Sequence, residues 1–352
     1  VPTDIFEGLY GVFADSLPDG WGRLLMDRYL MNKGAQLDNI TVLNRLAMVG
    51  IHGIGALTYR PAYGETYDQS GSDDIDVIYR KSISIYDEAS FANLDEMYHL
   101  GGSTGGARPK VWLQYDSVND SLTQLKTDSS EAWIVKFPSS QDVVDIAKIE
   151  YIYYLMAIGC GIEMSESKLF EGVSGSKYFG TKRFDRQKGR RLHMISAAGL
   201  LHDNYRYTAL DYGHLMDAGF RLNHSVKSYE DIFRVAVFNV LALNRDDHSK
   251  NFAFLMDNGQ WRFAPAYDLT YSTTSHGYQS TSVAGESNDI RLKHFEELAS
   301  HFGLKSYRVI IDQVVEVVSR FGNYAQALNV NAQITGSIIK NIEKKKELFF
   351  KQ

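Results

Sequence analysis

Residues 244–255 read NRDDHSKNFAFL. Four charged side chains, a histidine and two asparagines crowd its first eight positions, and the stretch then turns apolar. Before it, YEDIFRVAVFNVLALN has the apolar spacing of a buried helix that ends near Leu243. After it, NFAFLMDNGQWRFAP, opened by Asn251, reads as two strands turning at Asn258-Gly259, a dipeptide suited to the two positive-φ positions of a tight hairpin. Beyond the hairpin, PAYDLTYS supplies Asp268. So much polarity between a helix and a strand that both look buried calls for a chemical reason.

The order is helix, Asp loop, Asn, hairpin, Asp. Asn251 follows Asp246 by five positions and Asp268 follows it by 22. Phosphoryl transfer by protein kinases uses that order: one Asp faces the acceptor hydroxyl, an Asn five residues later takes metal, and an Asp past a hairpin takes the metals bridging the phosphates. ATP phosphates and Mg2+ demand hard, anionic oxygen ligands, and in-line transfer needs a carboxylate that holds the acceptor hydroxyl. Asp246 is then the positioner or base, with Asn251 and Asp268 as metal ligands. Taken singly, each is an ordinary turn or cap residue, and His248 a brace of the loop. The ordered set with both spacings favours the functional reading.

A kinase also needs a lysine on the phosphates and a carboxylate to hold it. AWIVKFPSS places Lys136 in a strand between apolar neighbours, and KIEYIYYLMA places Glu150 on the following helix. Alone, Lys136 reads equally as an outward edge-strand residue and Glu150 as part of a solvated helix face. Residues 100–113, LGGSTGGARPKVWL, are glycine-rich and lead through Arg108 and Lys110 into a strand, so backbone N–H groups and two cations could face phosphate oxygens. Such a loop by itself is more often a flexible connection.

The totals bound the rest. With 352 residues, 44% apolar and 23% charged, the chain is long enough for two lobes, each with a core. A net charge of −6 gives no support to a broad nucleic-acid or anionic-membrane surface, so any DNA contact is expected to come through a partner. Cys160 is the only cysteine, which excludes an intramolecular disulfide framework and a cysteine-based zinc site and fits a reducing cytosol. No run reaches a membrane span, and VPTDIFEGLYGVF lacks the basic and apolar regions of a signal peptide. Its first residue, Val1, reads as the start of a fragment.

Along the chain, LPDGWGRLLMDRYLMNKG and NITVLNRLAMVG read as helices, GIGALTYRPA and DIDVIYR as strands, and residues 70–74 as a loop. KVWLQY and EAWIVKF read as a hairpin with a long connection, and QDVVDIAKIEYIYYLMAIGCG as a helix. SKLFE and KYFGTKRF follow as short strands; from about residue 185 the pattern is helical apart from the one strand pair. The expected class is α+β, with a mixed α/β lobe over residues 1–185 and a mainly helical lobe over 186–352.

In order, GGSTGGARPK, IVKFP, KIEYIYYLMA, TKRFDR, NRDDHSKNF and APAYDLTYS resemble the HipA family of serine/threonine kinases, toxins of type II toxin-antitoxin modules, over residues 11–349. The resemblance implies a bilobal protein-kinase-like fold using ATP and Mg2+. It implies Asp246 as catalytic aspartate, His248 as the family's loop histidine, and Asn251 and Asp268 as metal ligands. Ser103, Gly105, Gly106 and Lys110 would lie on the nucleotide with Lys136 and Glu150, while Phe184, Asp185 and the Lys182 backbone meet adenine and ribose. Ser103 falls where such toxins phosphorylate themselves, which ejects the glycine-rich loop and switches the kinase off. Known members phosphorylate aminoacyl-tRNA synthetases, arrest growth, and bind a HipB-like helix-turn-helix antitoxin that carries the contact with DNA. The sequence departs from the family in its loop composition, in the second acid Asp247, and in Lys182, where a glutamate is often found. In the family a small N-terminal subdomain precedes GLYGVFADSLPDGWGRLLMDR, so that subdomain is expected to have been removed or to be a separate polypeptide. Two alternatives stay open: a kinase-fold binding protein that acts as an antitoxin-bound co-repressor, and a small-molecule kinase. The complete set Lys136, Asp246, Asn251 and Asp268 argues against the first.

Overall fold

A computed structural model describes residues 5–63, 74–273 and 277–351, and the chain divides into two compact units. One comprises Val1–Ala147 with Glu166–His193, the other Lys148–Ser165 with Met194–Gln352.

The first unit is built on an antiparallel sheet of β1 (Lys110–Asp116), β2 (Ser121–Thr123), β3 (Ser130–Lys136), β4 (Ser167–Glu171) and β5 (Lys177–Lys182), in the order β2-β1-β3-β5-β4. Alternation makes the strands: Val111, Leu113 and Tyr115 of β1 and Trp133 and Val135 of β3 are buried while their neighbours are less so. The expected hairpin with a long connection is present, with β2 inside the connection and pairing back onto β1. Helices Gly20–Asn32, Val42–Val49, Ile75–Tyr86 and Leu94–Gly101 share its core through Trp21, Leu25, Val49, Ile78, Ile85 and Met97. Two short strands, β6 (Arg186–Gln187) and β7 (Arg190–Arg191), pair with each other.

Three readings of this half are corrected. DIDVIYR is helical, within Ile75–Tyr86, because Ile75, Ile78, Ser82 and Ile85 bury one face at the helical period once the window extends past the short alternation. Residues 53–62 form no strand; their segment is satisfied by arginine side chains instead, as described below. The helix expected from residue 141 starts at Ile146, because the Asp142 carboxylate accepts from the Ser139 N–H and hydroxyl, both at 2.9 Å, in a turn. Residues 70–73 of the expected loop lie outside the described residues.

The second unit is mainly helical. Helix Lys227–Leu241 runs through its core, burying Ile232, Phe233, Val237 and Phe238 among Tyr153, Leu215, Phe295 and Val314 from helices Ile146–Gly159, Tyr212–Asn223, Leu292–His301 and Tyr307–Val318. Helices Phe321–Ala327 and Ala332–Phe350 follow. The predicted hairpin is β9 (Ala253–Asp257) and β10 (Gln260–Phe263), with Asn258 and Gly259 at φ 49° and 76°. Contrary to a lone strand pair, β8 (His193–Ser196) extends it to three strands in the order β10-β9-β8. No helix of the described residues is long and apolar enough to cross a membrane.

Candidate active site

Two groups of residues carry chemistry, one in each unit. In the second unit, helix Lys227–Leu241 gives way at Leu243, which adopts φ 59° with its side chain buried, so the chain reverses at once. Asn244 ties the turn to the helix: its N–H donates to the Asn239 carbonyl (2.9 Å) and its Nδ2 to Asn239 Oδ1 (3.0 Å). The Arg245 and Asp246 N–H groups both donate to Ser272 Oγ, at 2.8 and 3.0 Å. The Asp246 side chain is 65% exposed, and His248 Nε2 stands 3.8 Å from its Oδ1. Asn251 does not open the strand directly; it ends a single 3-10 turn, Ser249–Asn251, and its Nδ2 donates to the Asp246 carbonyl at 2.6 Å. That bond commits the amide nitrogen and assigns Asn251 Oδ1 as the atom with cation-binding chemistry.

Asp268 is brought to the same loop from the far side of the hairpin. Tyr267 donates its hydroxyl to the Lys250 carbonyl (2.6 Å), and Ser272 bridges to Asn244, its N–H donating to the Leu243 carbonyl (3.1 Å). Asp268 itself has φ 53°, a conformation costly for a non-glycine residue and often found where a side chain is aimed at a ligand. His248 Nδ1, Ser249 Oγ and Thr270 Oγ1 are buried polar atoms with no hydrogen-bond partner among the described residues. Among the described residues no three His, Cys, Asp or Glu side chains form a metal cluster. The donors expected to take metal are the Asp268 carboxylate and the Asn251 amide oxygen. They suit Mg2+, which takes one or two carboxylates and completes its shell with substrate phosphates and water.

Tyr205 and Lys250, which the sequence did not single out, stand against this loop. The Tyr205 ring lies 5.5 Å from that of His248, and Lys250 Nζ stands 4.6 Å from its centroid. Nothing local marks Tyr205, some forty residues before the loop.

In the first unit, the glycine-rich loop leaves helix Leu94–Gly101, and Thr104 donates its N–H (2.9 Å) and hydroxyl (2.6 Å) to the Gly101 carbonyl. Ser103 is turned inward, 9% exposed: its hydroxyl donates to the His52 carbonyl (3.0 Å) and accepts from Trp112 Nε1–H (2.9 Å). Gly106 is held twice, its N–H by the Asp19 carboxylate and its carbonyl by the Trp21 N–H (2.9 Å). Lys110 Nζ donates to the Gly105 carbonyl (2.6 Å), and Arg108 pairs with Asp142 (2.7 Å). Both cations expected at phosphates therefore have protein partners. The sheet register sets Lys110 directly opposite Lys136, whose Nζ lies 5.6 Å from the Phe179 ring centroid. In the second unit, Glu150 is buried on helix Ile146–Gly159.

At the end of β5, Lys182 turns its ammonium to Glu131 Oε1 (2.5 Å) and its N–H to the Glu166 carbonyl (2.8 Å). Asp185 is buried and fully engaged. Its carboxylate accepts from Arg183 Nε (2.9 Å) and Nη2 (2.8 Å), Arg186 Nη1 (2.6 Å) and the Gly55 N–H (2.8 Å). Burial pushes its carboxyl up, but the Arg183 and Arg186 guanidiniums and the Gly55 N–H outweigh that and hold it below the usual range. Arg183 also stacks on Trp112, its Cζ 3.8 Å from the ring centroid. With Arg191, these arginines donate to the carbonyls of Ile51, Gly53, Gly55 and Leu57, clasping the segment that seats Ser103.

The sequence matches the HipA-like C-terminal domain over residues 102–321 and the HipA N-terminal domain over residues 3–60. No curated protein matches. Among solved structures the chain is similar to HipA of Shewanella oneidensis MR-1, described in complex with HipB and operator DNA. Identity is 18%, with 97% of this chain and 83% of that one covered at a TM-score of 0.69. A slighter likeness, with a TM-score of 0.39 and 13% identity over 62% of this chain and 88% of that one, is to the Helicobacter pylori proinflammatory kinase CtkA. The two units are thus the mixed α/β and mainly helical halves of a bilobal kinase-like fold, and with the first match spanning well over half of its length the chain belongs to the HipA family of kinase toxins.

Proposed function

We propose that the protein is an ATP- and Mg2+-dependent serine/threonine protein kinase with Asp246, Asn251 and Asp268 as its catalytic and metal-binding set. The observation that carries this is the second-unit loop. Asp246 projects to solvent while its backbone is held at N–H and carbonyl, and Tyr267 and Ser272 tether both sides of Asp268 to the same loop. Asp246 accepts the hydrogen bond of the incoming serine hydroxyl and aims its oxygen at the γ-phosphorus. The O–P bond to serine forms as the bond to ADP breaks, and the hydroxyl proton leaves through Asp246. Asn251 Oδ1 and the Asp268 carboxylate would hold Mg2+, which would supply positive charge to offset that on the phosphate oxygens. Lys136 and Lys110 meet the phosphates, with Gly105 and Gly106 beside them, while the Lys182 backbone and Phe184 form the adenine edge. Asp185, expected with Phe184 and the Lys182 backbone at the adenine and ribose hinge, acts by holding that edge in shape through its arginines.

Ser103 is the proposed site of self-modification, and its seat bears on what a phosphate there would do. The hydroxyl must leave His52 to be phosphorylated, and a phosphate ester has no hydrogen to return to that carbonyl, so the modified loop stays out. The acceptor in trans is a serine of a protein target, an aminoacyl-tRNA synthetase by family likeness. The partner is a HipB-like antitoxin, which supplies the DNA contact that a chain of net charge −6 does not favour. A cytoplasmic setting suits that partner.

Incubating wild type, Asp246→Ala and Ser103→Ala with labelled ATP and Mg2+, then mapping phosphopeptides, tests the reading. One phosphate on Ser103 in wild type and none in either variant is expected, with Asp246→Ala folded and Ser103→Ala still able to phosphorylate another acceptor. Transfer by Asp246→Ala at the wild-type rate would remove the mechanism; ATP binding with no transfer to any acceptor would favour the co-repressor.

A further inference from the structure

Asp247, next to Asp246, has no part in the chemistry above, yet it is the most heavily bonded carboxylate of the second unit's loop. Consecutive residues of one type have opposite fates: the Asp246 side chain is 65% exposed, while Asp247 is wholly buried. Asp247 Oδ1 accepts from the Ser280 N–H (2.8 Å) and the Thr281 N–H (3.2 Å), and Oδ2 accepts from the Tyr212 hydroxyl (2.7 Å) and Gln279 Nε2 (3.0 Å). The donors are themselves oriented: Asn239 Nδ2 donates to the Tyr212 oxygen (2.9 Å), and Gln279 Nε2 also donates to the Asn244 carbonyl (2.9 Å). Thr281 Oγ1 donates to the Asp247 carbonyl, and Ser280 Oγ to that of Arg245 (2.8 Å). Residues 244–247 are thereby zipped to residues 279–281.

We propose that Asp247 is a positioning residue that fixes the peptide behind Asp246, so that the exposed carboxylate meets the acceptor hydroxyl in one orientation. This rests on the kinase reading of Asp246. Ser272 and Asn251 hold the Asp246 N–H and carbonyl, and the Asp247 side chain adds a second anchor on the far side of that peptide, through four donors from two other segments, Tyr212 and residues 279–281. Burial pushes its carboxyl up to about 7 against the pull of those donors, and an apolar residue in its place would leave the same donors without their acceptor. A nucleophile held even about 1 Å out of place can cost on the order of a hundredfold in rate without any change in substrate affinity. Asparagine at 247 keeps one oxygen for the Ser280 and Thr281 N–H groups and turns its NH2 towards Tyr212 and Gln279, so it restores half of the anchor.

The test compares wild type, Asp247→Ala, Asp247→Asn, Tyr212→Phe and Asp246→Ala. It reads single-turnover self-phosphorylation at saturating ATP, ATP affinity by calorimetry, and far-UV circular dichroism. For Asp247→Ala the rate is expected to fall about a hundredfold while ATP affinity moves less than about threefold, and Asp247→Asn is expected to recover at least about tenfold of that loss. If Asp247→Ala does not fold, Tyr212→Phe decides, with a fall of about three- to tenfold in rate at unchanged affinity. A wild-type rate in Asp247→Ala, a loss confined to ATP affinity, or an asparagine variant no better than alanine overturns the proposal. An active Asp246→Ala instead overturns the kinase reading beneath it.

Discussion

Gly101→Ala sets two effects of known size against each other. Gly101 ends helix Leu94–Gly101 with its carbonyl holding Thr104, so it is the pivot from which the glycine-rich loop departs. A Cβ there would stand 2.8 Å from the Lys110 carbonyl oxygen, 2.9 Å from Trp21 Nε1 and 3.0 Å from Leu25 Cδ1, inside the 3.4 Å at which ordinary contact begins. The alanine methyl would press into the Trp21-to-Lys110 hydrogen bond of 2.9 Å, which ties helix Gly20–Asn32 to β1. Alanine in place of glycine in a helix gains about 0.5–1 kcal/mol, whereas one extra methyl in a tight core costs about 1–3 kcal/mol. Overpacking wins, for a net loss of about 1–2 kcal/mol, with the loop displaced by several tenths of an ångström. Gly336→Ala is the control: it lies in helix Ala332–Phe350, and its Cβ would meet nothing within 4 Å, so it is expected to stabilise by about 0.5–1 kcal/mol. Urea unfolding followed by tryptophan fluorescence measures both, and the Ser103 phosphorylation rate reports the loop. A Gly101→Ala protein as stable as Gly336→Ala, with wild-type kinetics, would refute the packing argument.

Asp185→Ala strips the buried carboxylate from Arg183 and Arg186; removing one partner of such a pair costs about 3–5 kcal/mol, and a urea-midpoint change worth under about 0.5 kcal/mol would show that the carbonyls of residues 51–57 hold the arginines alone. Asp247 predicts a pH dependence: its carboxyl is raised from 3.8 to about 7, so its contribution to stability is complete below about pH 4 and is lost as pH rises to about 7. The loss is on the order of 4 kcal/mol. Wild type should therefore lose stability relative to Asp247→Asn between pH 4 and 7 in thermal scans, and parallel profiles for the two proteins would rule this out.

The opening loop was legible because its logic is local. Helix period, polar run, strand alternation and an Asn-Gly turn each read within a dozen residues, and the structure forms each of them within a residue or two of its expected place. Where donors and acceptors come from far along the chain, legibility failed. GIGALTYRPA alternates like a strand, yet carbonyls at residues 51, 53, 55 and 57 are met by Arg183, Arg186 and Arg191, more than 120 positions away, instead of by a neighbouring strand. DIDVIYR was misread because seven residues hold fewer than two helical turns, too short a window to separate a period of 2 from one of 3.6.

The pair Asp246-Asp247 marks that boundary most sharply. Spacing to Asn251 and Asp268 singled out the first acid and left the second as an unexplained addition. A sequence cannot say that Tyr212, Gln279, Ser280 and Thr281 converge on Asp247, since each is 32 to 35 positions away and none belongs to a motif. Yet that convergence makes the neighbouring acid useful: a carboxylate can be exposed and still precisely aimed only if something next to it is buried and immobile. On the proposed reading, the motif names the residue that would face the reaction, and the fold supplies the buried neighbour that would hold it there.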